Sequence, residues 1–340
     1  MANANKEQVK QYILKLISHY ETQLVAKVTE NFGISKSTVY NYLSELKKDG
    51  VIEKDAETAE YVLVSKRYHF FYSNEGLSED RIFNRDIAPL LLGMEKNIVS
   101  IWRYAFTEMM NNAIEHSGGA EICVSVMINP LETMVIIMDD GVGIFRNIQQ
   151  YLLRERNEDT PLDECVALLF SGKFTTARQL HSGEGIFFTS HLMDKFIIYS
   201  EEETFSRNNF EDRQFRYKEL DFEKGTLVLM SLYNQSKKTT KEVFDRFSDV
   251  EEGFIKTQIP IAHFFPNGSP VSRSEARRLG EMIARFKEIE LDFTNVEEVG
   301  QAFCHEMFVI WQGRNPDIIL RVCNAAPDVQ RMITRVKNTV

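Results

Sequence analysis

What the chain lacks narrows its class. No apolar run reaches the roughly 18 residues that a membrane helix requires. The opening stretch MANANKEQVK has no apolar signal core, so a cytoplasmic location is expected. The four cysteines, Cys123, Cys165, Cys304 and Cys323, are scattered without metal-ligand spacing. They read as free core thiols, not as a disulfide frame or a zinc site. An excess of basic charge is absent too. The formal net charge is −10, which argues against a chain wholly devoted to nucleic acid but leaves room for a local basic surface. The rest is ordinary for a globular protein: 43% of 340 residues are hydrophobic, enough for two or three domains.

The informative stretch is residues 106–144, FTEMMNNAIEHSGGAEICVSVMINPLETMVIIMDDGVGI. Glu108 and Asn112 are four residues apart and share one helix face. A carboxylate beside an amide suits a phosphate-bound magnesium, which prefers oxygen ligands and keeps several waters. Asp139 follows the apolar run MVIIM, which reads as a buried strand. A carboxylate at a strand end can accept a hydrogen bond from an exocyclic amine such as the N6 of adenine. Gly141 and Gly143, just after it, let backbone come close to a ligand.

Before this stretch, residues 6–65 show helical apolar spacing at Val9, Tyr12, Ile13, Leu16 and Ile17. A second helix closes at Gly33. In ISKSTVYNYLSELKKDG, Ser35 is an N-cap and Val39, Tyr42, Leu43 and Leu46 form the buried face. Residues 51–54 and 60–64 read as two strands around the polar turn DAETA, a wing. This pattern resembles winged helix-turn-helix regulators, in which the second helix of the motif enters the major groove. The resemblance offers Lys36, Ser37, Thr38, Tyr40 and Asn41 to DNA, with Lys47 and Lys48 meeting phosphates. The module is close to neutral, with ten Lys/Arg against nine Asp/Glu over residues 1–72. A protein-binding or dimerisation module of the same fold is therefore the competing reading. Residues 66–76, KRYHFFYSNEG, read as an aromatic connector.

With the motifs in place, TEMMNNAIEHS resembles the N-box of the GHKL ATP-binding superfamily, which includes histidine kinases, gyrase, MutL, heat-shock chaperones and anti-sigma kinases. DDGVGI resembles its D-x-G-x-G box, HSGEGIFFTSHLMD its second glycine box, and Lys224-Gly225-Thr226 its late Gly-Thr element. Four boxes in order are a specific signal. The resemblance covers about residues 86–233 and implies ATP and magnesium as cofactors. It implies that Asn112 holds magnesium and that Glu108 orients or deprotonates a water or an acceptor hydroxyl. Asp139 would bind adenine, with Thr226 near the base. Gly141, Gly143, Gly183 and Gly185 would shape the pocket, and His181 and Ser182 would contact phosphate. Residues 145–180 would be the ATP lid, with a helix over 162–170 and then Ser171, Lys173, Thr175 and Thr176 within reach of the γ-phosphate.

A histidine kinase normally carries a helical hairpin with a phospho-accepting histidine before this domain. Here only residues 73–94 are available, too few for two long helices, which disfavours histidine autophosphorylation. After residue 240 the sequence suggests a linker helix over 243–255 and then alternating β and α elements. LDFTNVEEVGQAFCHEMF resembles the STAS-like fold of anti-sigma antagonists. Where phosphorylatable members carry an acceptor serine, this chain has Gly300, Gln301, Ala302 and Phe303.

The expected fold class is mixed α/β (α+β) in three domains. These are a winged helix-turn-helix at 1–72, a Bergerat-type α/β sandwich at 73–240, and a linker helix with a small STAS-like α/β domain at 241–340. The expected function is an ATP- and magnesium-responsive regulator coupling nucleotide state to a DNA-binding head and a STAS-like partner domain. Two alternatives stand beside it: a protein serine/threonine kinase acting on a separate substrate, and an ATP-driven dimerising clamp or defence protein. Partners are ATP, DNA through the head, and a protein or a second copy through the STAS-like domain, with no membrane.

Overall fold

The computed structural model describes residues 6–338 except 20, 57, 171, 173–183, 202, 207–221, 223, 250, 252 and 266–268. The chain is mixed α/β and forms two compact units. One comprises residues 1–70, 124–136 and 231–236; the other comprises 71–123, 137–230 and 237–340.

The first unit begins with α1 (Lys6–Ser18), α2 (Leu24–Phe32) and α3 (Lys36–Lys48). Gly33 ends α2 at φ +63°, its N–H returning to the Thr29 carbonyl, the left-handed stop that glycine supplies without strain. The Ser35 hydroxyl caps α3 by accepting from the Thr38 N–H at 3.1 Å. Strands β1 (Ile52–Lys54) and β2 (Tyr61–Leu63) pair antiparallel, Ile52 opposite Leu63, and make the wing. Val9, Ile13, Ile17, Val28, Val39, Leu43, Leu46 and Ile52 form the buried core, and Leu131 joins it from far along the chain.

Residues 66–73 are not a connector. They form strand β3 (Lys66–Ser73), an edge of a six-stranded sheet of order β3-β4-β5-β8-β6-β7. The alternation is visible in the residues: Tyr68, Phe70 and Tyr72 are the more covered set, with Arg67, His69, Phe71 and Ser73 exposed between them. The other strands of this sheet are β4 (Glu121–Ile128), β5 (Glu132–Asp139), β6 (Lys195–Ser200), β7 (Glu203–Ser206) and β8 (Thr226–Tyr233).

In the second unit, α4 (Glu79–Ile82) runs on through a π-helical turn, Phe83–Ile87, and a 3-10 turn, Ala88–Leu91. The 21-residue α5 (Lys96–His116) follows, burying Ile98, Ile101, Trp102, Ala105, Phe106, Met109, Met110 and Ala113. Then come α6 (Ile144–Arg156), α7 (Leu162–Phe170) and α8 (Gly185–Leu192).

The expected linker helix over 243–255 is replaced by a shorter helix and a hairpin. Helix α9 (Thr240–Phe247) stops where Ser248 turns extended. Strands β9 (Ser248–Asp249) and β10 (Gly253–Phe254) then pair antiparallel. Gly253 at φ +72° and the Asp249 carboxylate, which accepts from the Glu251 N–H at 2.8 Å, make the reversal.

The C-terminal part is a parallel sheet of order β11 (Lys256–Pro260), β12 (Glu288–Asp292) and β13 (Ile319–Cys323). Its connecting elements are α10 (Ile261–Phe264), α11 (Arg273–Ile283) and α12 (Gln301–His305), the last continuing through a π-helical segment, Glu306–Trp311, into α13 (Gln312–Arg314). Helix α14 (Pro327–Lys337) closes the chain. A Ser272/Glu275 capping box starts α11. Gly280 in its middle lies so close to the Trp311 indole that a Cβ there would overlap the ring. Among the described residues, no helix is long and apolar enough to cross a membrane.

Leu131 is 6% exposed and sits in the core of the first unit. Leu131→Ala is expected to destabilise that unit by about 3 kcal/mol, read as a lower midpoint in chemical denaturation. An unchanged midpoint would show that the core does not depend on it.

Candidate functional site

Helix α5 presents Tyr104, Glu108 and Asn112 at four-residue spacing, one stripe along its length. All three are half-buried. The Asn112 side chain makes no hydrogen bond among the described residues. The last turn of α5 is tied to the loop that follows β5. The Val142 N–H donates to the Ser117 carbonyl at 2.9 Å, and the Asn147 amide donates to the His116 carbonyl at 2.8 Å. Gly141 is pressed onto Ser117 so closely that any Cβ would overlap its carbonyl. These contacts set Asp139, Gly141 and Gly143 beside the helix turn that carries Asn112.

Asp139 ends β5 and is 6% exposed. Its Oδ1 accepts from the Gly141 N–H at 2.9 Å and from the Thr226 N–H at 3.3 Å. Oδ2 has no hydrogen-bond partner among the described residues. Burial pushes the carboxyl up to about 6, against the pull of those two N–H groups. Its neighbour Asp140 behaves differently. Asp140 is exposed, accepts from the Glu121 N–H at 2.9 Å, and is held below the usual carboxylate range chiefly by that bond. Of the two adjacent aspartates, one closes a strand end and the other faces inward.

The turn before β8 locks against the turn after β5. Gly225, at φ +96°, lets its backbone touch the Asp139 carbonyl, where a Cβ would overlap. The Ser200 hydroxyl donates to the Gly225 carbonyl at 2.7 Å. Gly143, at φ +92°, would place a Cβ 2.6 Å from that same hydroxyl. The Thr226 hydroxyl accepts from the Ile144 N–H at 3.0 Å. Thr226 is thus a structural clasp between the two turns.

On the other side of Glu108 stands the start of α8. A Cβ on Gly185 would overlap the Glu108 carboxylate. The Tyr104 phenol is pushed well above its usual range, first by burial and then by the Glu108 and Glu184 carboxylates. Glu108 therefore sits between α5 and the first residue of α8. Phe187 and Phe188 anchor α8 from behind in a group of rings. Phe187 meets Phe247 and Phe254 with centroids at 4.9 and 4.6 Å, and Phe188 stacks on Phe244 at 4.1 Å.

Glu108, Asn112, Asp139, Gly141, Gly143, Gly185 and Thr226 thus come together around the C-terminal half of α5. Lys173, Thr175, His181, Ser182 and Gly183, with Ser171 and Thr176, lie outside the described residues. Ser117, Ser200 and Tyr104 were not anticipated. Ser117 could have been flagged as the small residue closing the helix in EHSGG; Ser200 and Tyr104 carry no local signal. Among the described residues no group of three His, Cys, Asp or Glu could hold a metal ion.

In the first unit, α3 exposes Lys36, Ser37, Tyr40, Asn41 and Lys47 on its solvent side. Thr38 is half-buried, and its hydroxyl lies 2.8 Å from the Ser35 hydroxyl. Thr38 therefore belongs to the cap more than to the outward face.

A family model described as the MCM protein C-terminal winged helix-turn-helix domain matches residues 7–64. A model described as a STAS-like domain of unknown function (DUF4325) matches residues 275–330. The chain thus joins a winged-helix domain and a STAS-like domain, the architecture of a regulator. Neither match reaches the α5–β8 site. No curated protein matches the chain.

The raised Asp139 carboxyl has a sign that can be measured. The folded state keeps this proton longer than the unfolded chain, so ionisation costs stability as pH rises from 3.8 toward about 6. Asp139→Asn cannot ionise. Its unfolding free energy relative to wild type is expected to rise by about 2 kcal/mol between pH 4 and pH 7. A difference independent of pH would mean that Asp139 is solvated.

Proposed function

We propose that this chain is an ATP- and magnesium-binding regulator of the GHKL type. In this reading the nucleotide state of residues 73–240 is coupled to a DNA-binding head at 1–72 and to a STAS-like partner module at 241–340. The observation that carries the reading is the pairing of two polar groups left open on adjoining elements. One is the outer oxygen of buried Asp139; the other is the carboxamide of Asn112.

A buried carboxylate with one oxygen fixed by backbone and the other open suits an exocyclic amine donor. The half-buried Asn112 amide fits a magnesium ion whose other ligands are phosphate oxygens and water. Bound magnesium would neutralise phosphate charge. Glu108, one helical turn from Asn112 and pressed against Gly185, would orient a water or a hydroxyl. The glycines at 141, 143, 185 and 225 sit where a side chain would collide, as expected where backbone must come close.

Coupling to the STAS-like module has a physical route. Arg278 of α11 pairs with Glu164 of α7, and Gly172, just after α7, lies against Phe187 and Phe254. Phe254 in turn meets Phe286 at 5.3 Å. A change near α7 and α8 therefore reaches the end of α11 through packed rings. Phosphate transfer to this chain's own STAS-like loop is disfavoured. The serine position is filled by Gly300–Phe303, and the Thr294 hydroxyl already donates to Asp292 at 2.7 Å.

The test is calorimetric titration with ATP and magnesium. Asn112→Ala and Asp139→Asn are each expected to weaken binding at least tenfold, about 1.4 kcal/mol or more. Wild-type affinity in both variants would overturn the assignment. Phosphate release and protein labelling from γ-labelled ATP, compared in wild type and Glu108→Gln, then separate an ATPase from a kinase.

A further inference from the structure

We propose that the head takes up duplex DNA through α3 alone, with the wing held off the phosphates by its own negative charge. This rests on the reading of the head as DNA-binding and adds how it docks. The near-neutral composition of the head hides a segregation of charge.

On α3 the exposed residues Lys36, Ser37, Tyr40, Asn41, Ser44, Lys47 and Lys48 surround the buried row Val39, Leu43 and Leu46. The one acid within α3, Glu45, is taken up from behind. Lys6 and Lys10 of α1 reach it at 2.7 and 2.9 Å, and these bonds, Lys6 first, hold its carboxyl below the usual range. The outward face therefore offers lysines at both ends with no free carboxylate between them. Asp49 comes after the last turn, at the C-cap.

The spacing fits a groove. Lys36 and Lys47 are eleven residues apart, about 16 Å along the axis at 1.5 Å per residue. That span reaches phosphates on both sides of a major groove about 12 Å wide. Tyr40, 55% exposed, and Asn41 lie between them. An asparagine amide can pair with an adenine edge.

The wing has the opposite charge. Between residues 53 and 60 the sequence carries Glu53, Asp55, Glu57 and Glu60 against Lys54 alone. Glu53 and Glu60 are exposed. The lone cation is turned onto the wing itself, with Lys54 Nζ 5.5 Å from the Tyr61 ring centroid. A wing of this charge is repelled by a phosphate backbone, so it cannot add the second contact that many winged helices use. Docking then neutralises few phosphates, about three, and the salt slope of log affinity is about −3.

The experiment is fluorescence anisotropy of the full chain with a short mixed-sequence duplex across a salt series. The paired substitution Glu53→Gln and Glu60→Gln, both on the exposed wing, is expected to tighten binding at least threefold at low salt. Lys36→Ala with Lys47→Ala is expected to weaken it and to flatten the slope by about two. Binding that is unchanged or weaker in the wing variant would overturn the proposal, since the wing carboxylates would then not be repelling the phosphates. Absence of binding in wild type and wing variant alike would instead overturn the DNA-binding reading of the head. Thermal melting of the wing variant, expected to match wild type, guards against misfolding. A second pair, Glu53→Ala and Glu60→Ala, should tighten binding in the same way.

Discussion

The second unit is organised by one oxygen atom. Oδ1 of Asp139 gathers the Gly141 and Thr226 N–H groups, and so fixes the ends of two strands that are far apart in sequence. Everything around it is shaped by the closeness this requires. Gly225 must lack a Cβ because the Asp139 carbonyl occupies that space, and Gly143 must lack one because Ser200 does. Burying a carboxylate is costly unless its hydrogen bonds are met. Here only half of the carboxylate is met by the protein, which leaves the group raised to about 6. Such an arrangement leaves one carboxylate oxygen without a hydrogen bond from the described residues.

Behind the site, the rings provide stiffness. Tyr104 meets Phe244 edge-on at 5.2 Å, Phe244 stacks on Phe188, and Phe188 and Phe187 both meet Phe254. Aromatic pairs of this kind hold preferred angles in addition to burying area. A cluster of large rings packed to interior density transmits strain and does not absorb it. The stripe of α5 that carries Glu108 and the STAS-like helix α11 are both attached to it. The two elements thus share one packed cluster within the second unit.

Much of this could be read from the residues, and the failures have identifiable causes. The helix carrying Glu108 and Asn112, the strand ending at Asp139 and the glycine turns were legible because local spacing dictates them. Two of the three strands of the C-terminal part, β12 and β13, are legible because short apolar runs alternate with helical patterns; β11 is not, because its run KTQIP carries little apolar signal. Residues 66–73 read as a connector because aromatic residues fall on both sides of the strand: Tyr68, Phe70 and Tyr72 alternate with Arg67, His69, Phe71 and Ser73, and Phe71 blurs the period of two. Residues 243–255 misled because one apolar period runs across Phe244 and Phe247, and the stop at Ser248 depends on Gly253 reversing the chain. Helix α6 lies within residues read as lid, where polarity masked a buried face of Phe145, Ile148 and Leu152. Ser117 and Ser200 escaped notice because their roles are made by distant partners, which no window of sequence contains.

Leu131 has a consequence for how the protein is made. The head's helices and wing are complete by residue 64, yet part of their core arrives only with the turn between β4 and β5. Asn129 in that turn braces residues 131 and 132 by accepting their N–H groups, and Asn234 then donates to its carbonyl. A chain emerging N-terminus first from the ribosome holds its three first helices around an unfilled apolar face until twice that length has been translated. The head is thus first in sequence but cannot be first to reach its final packing.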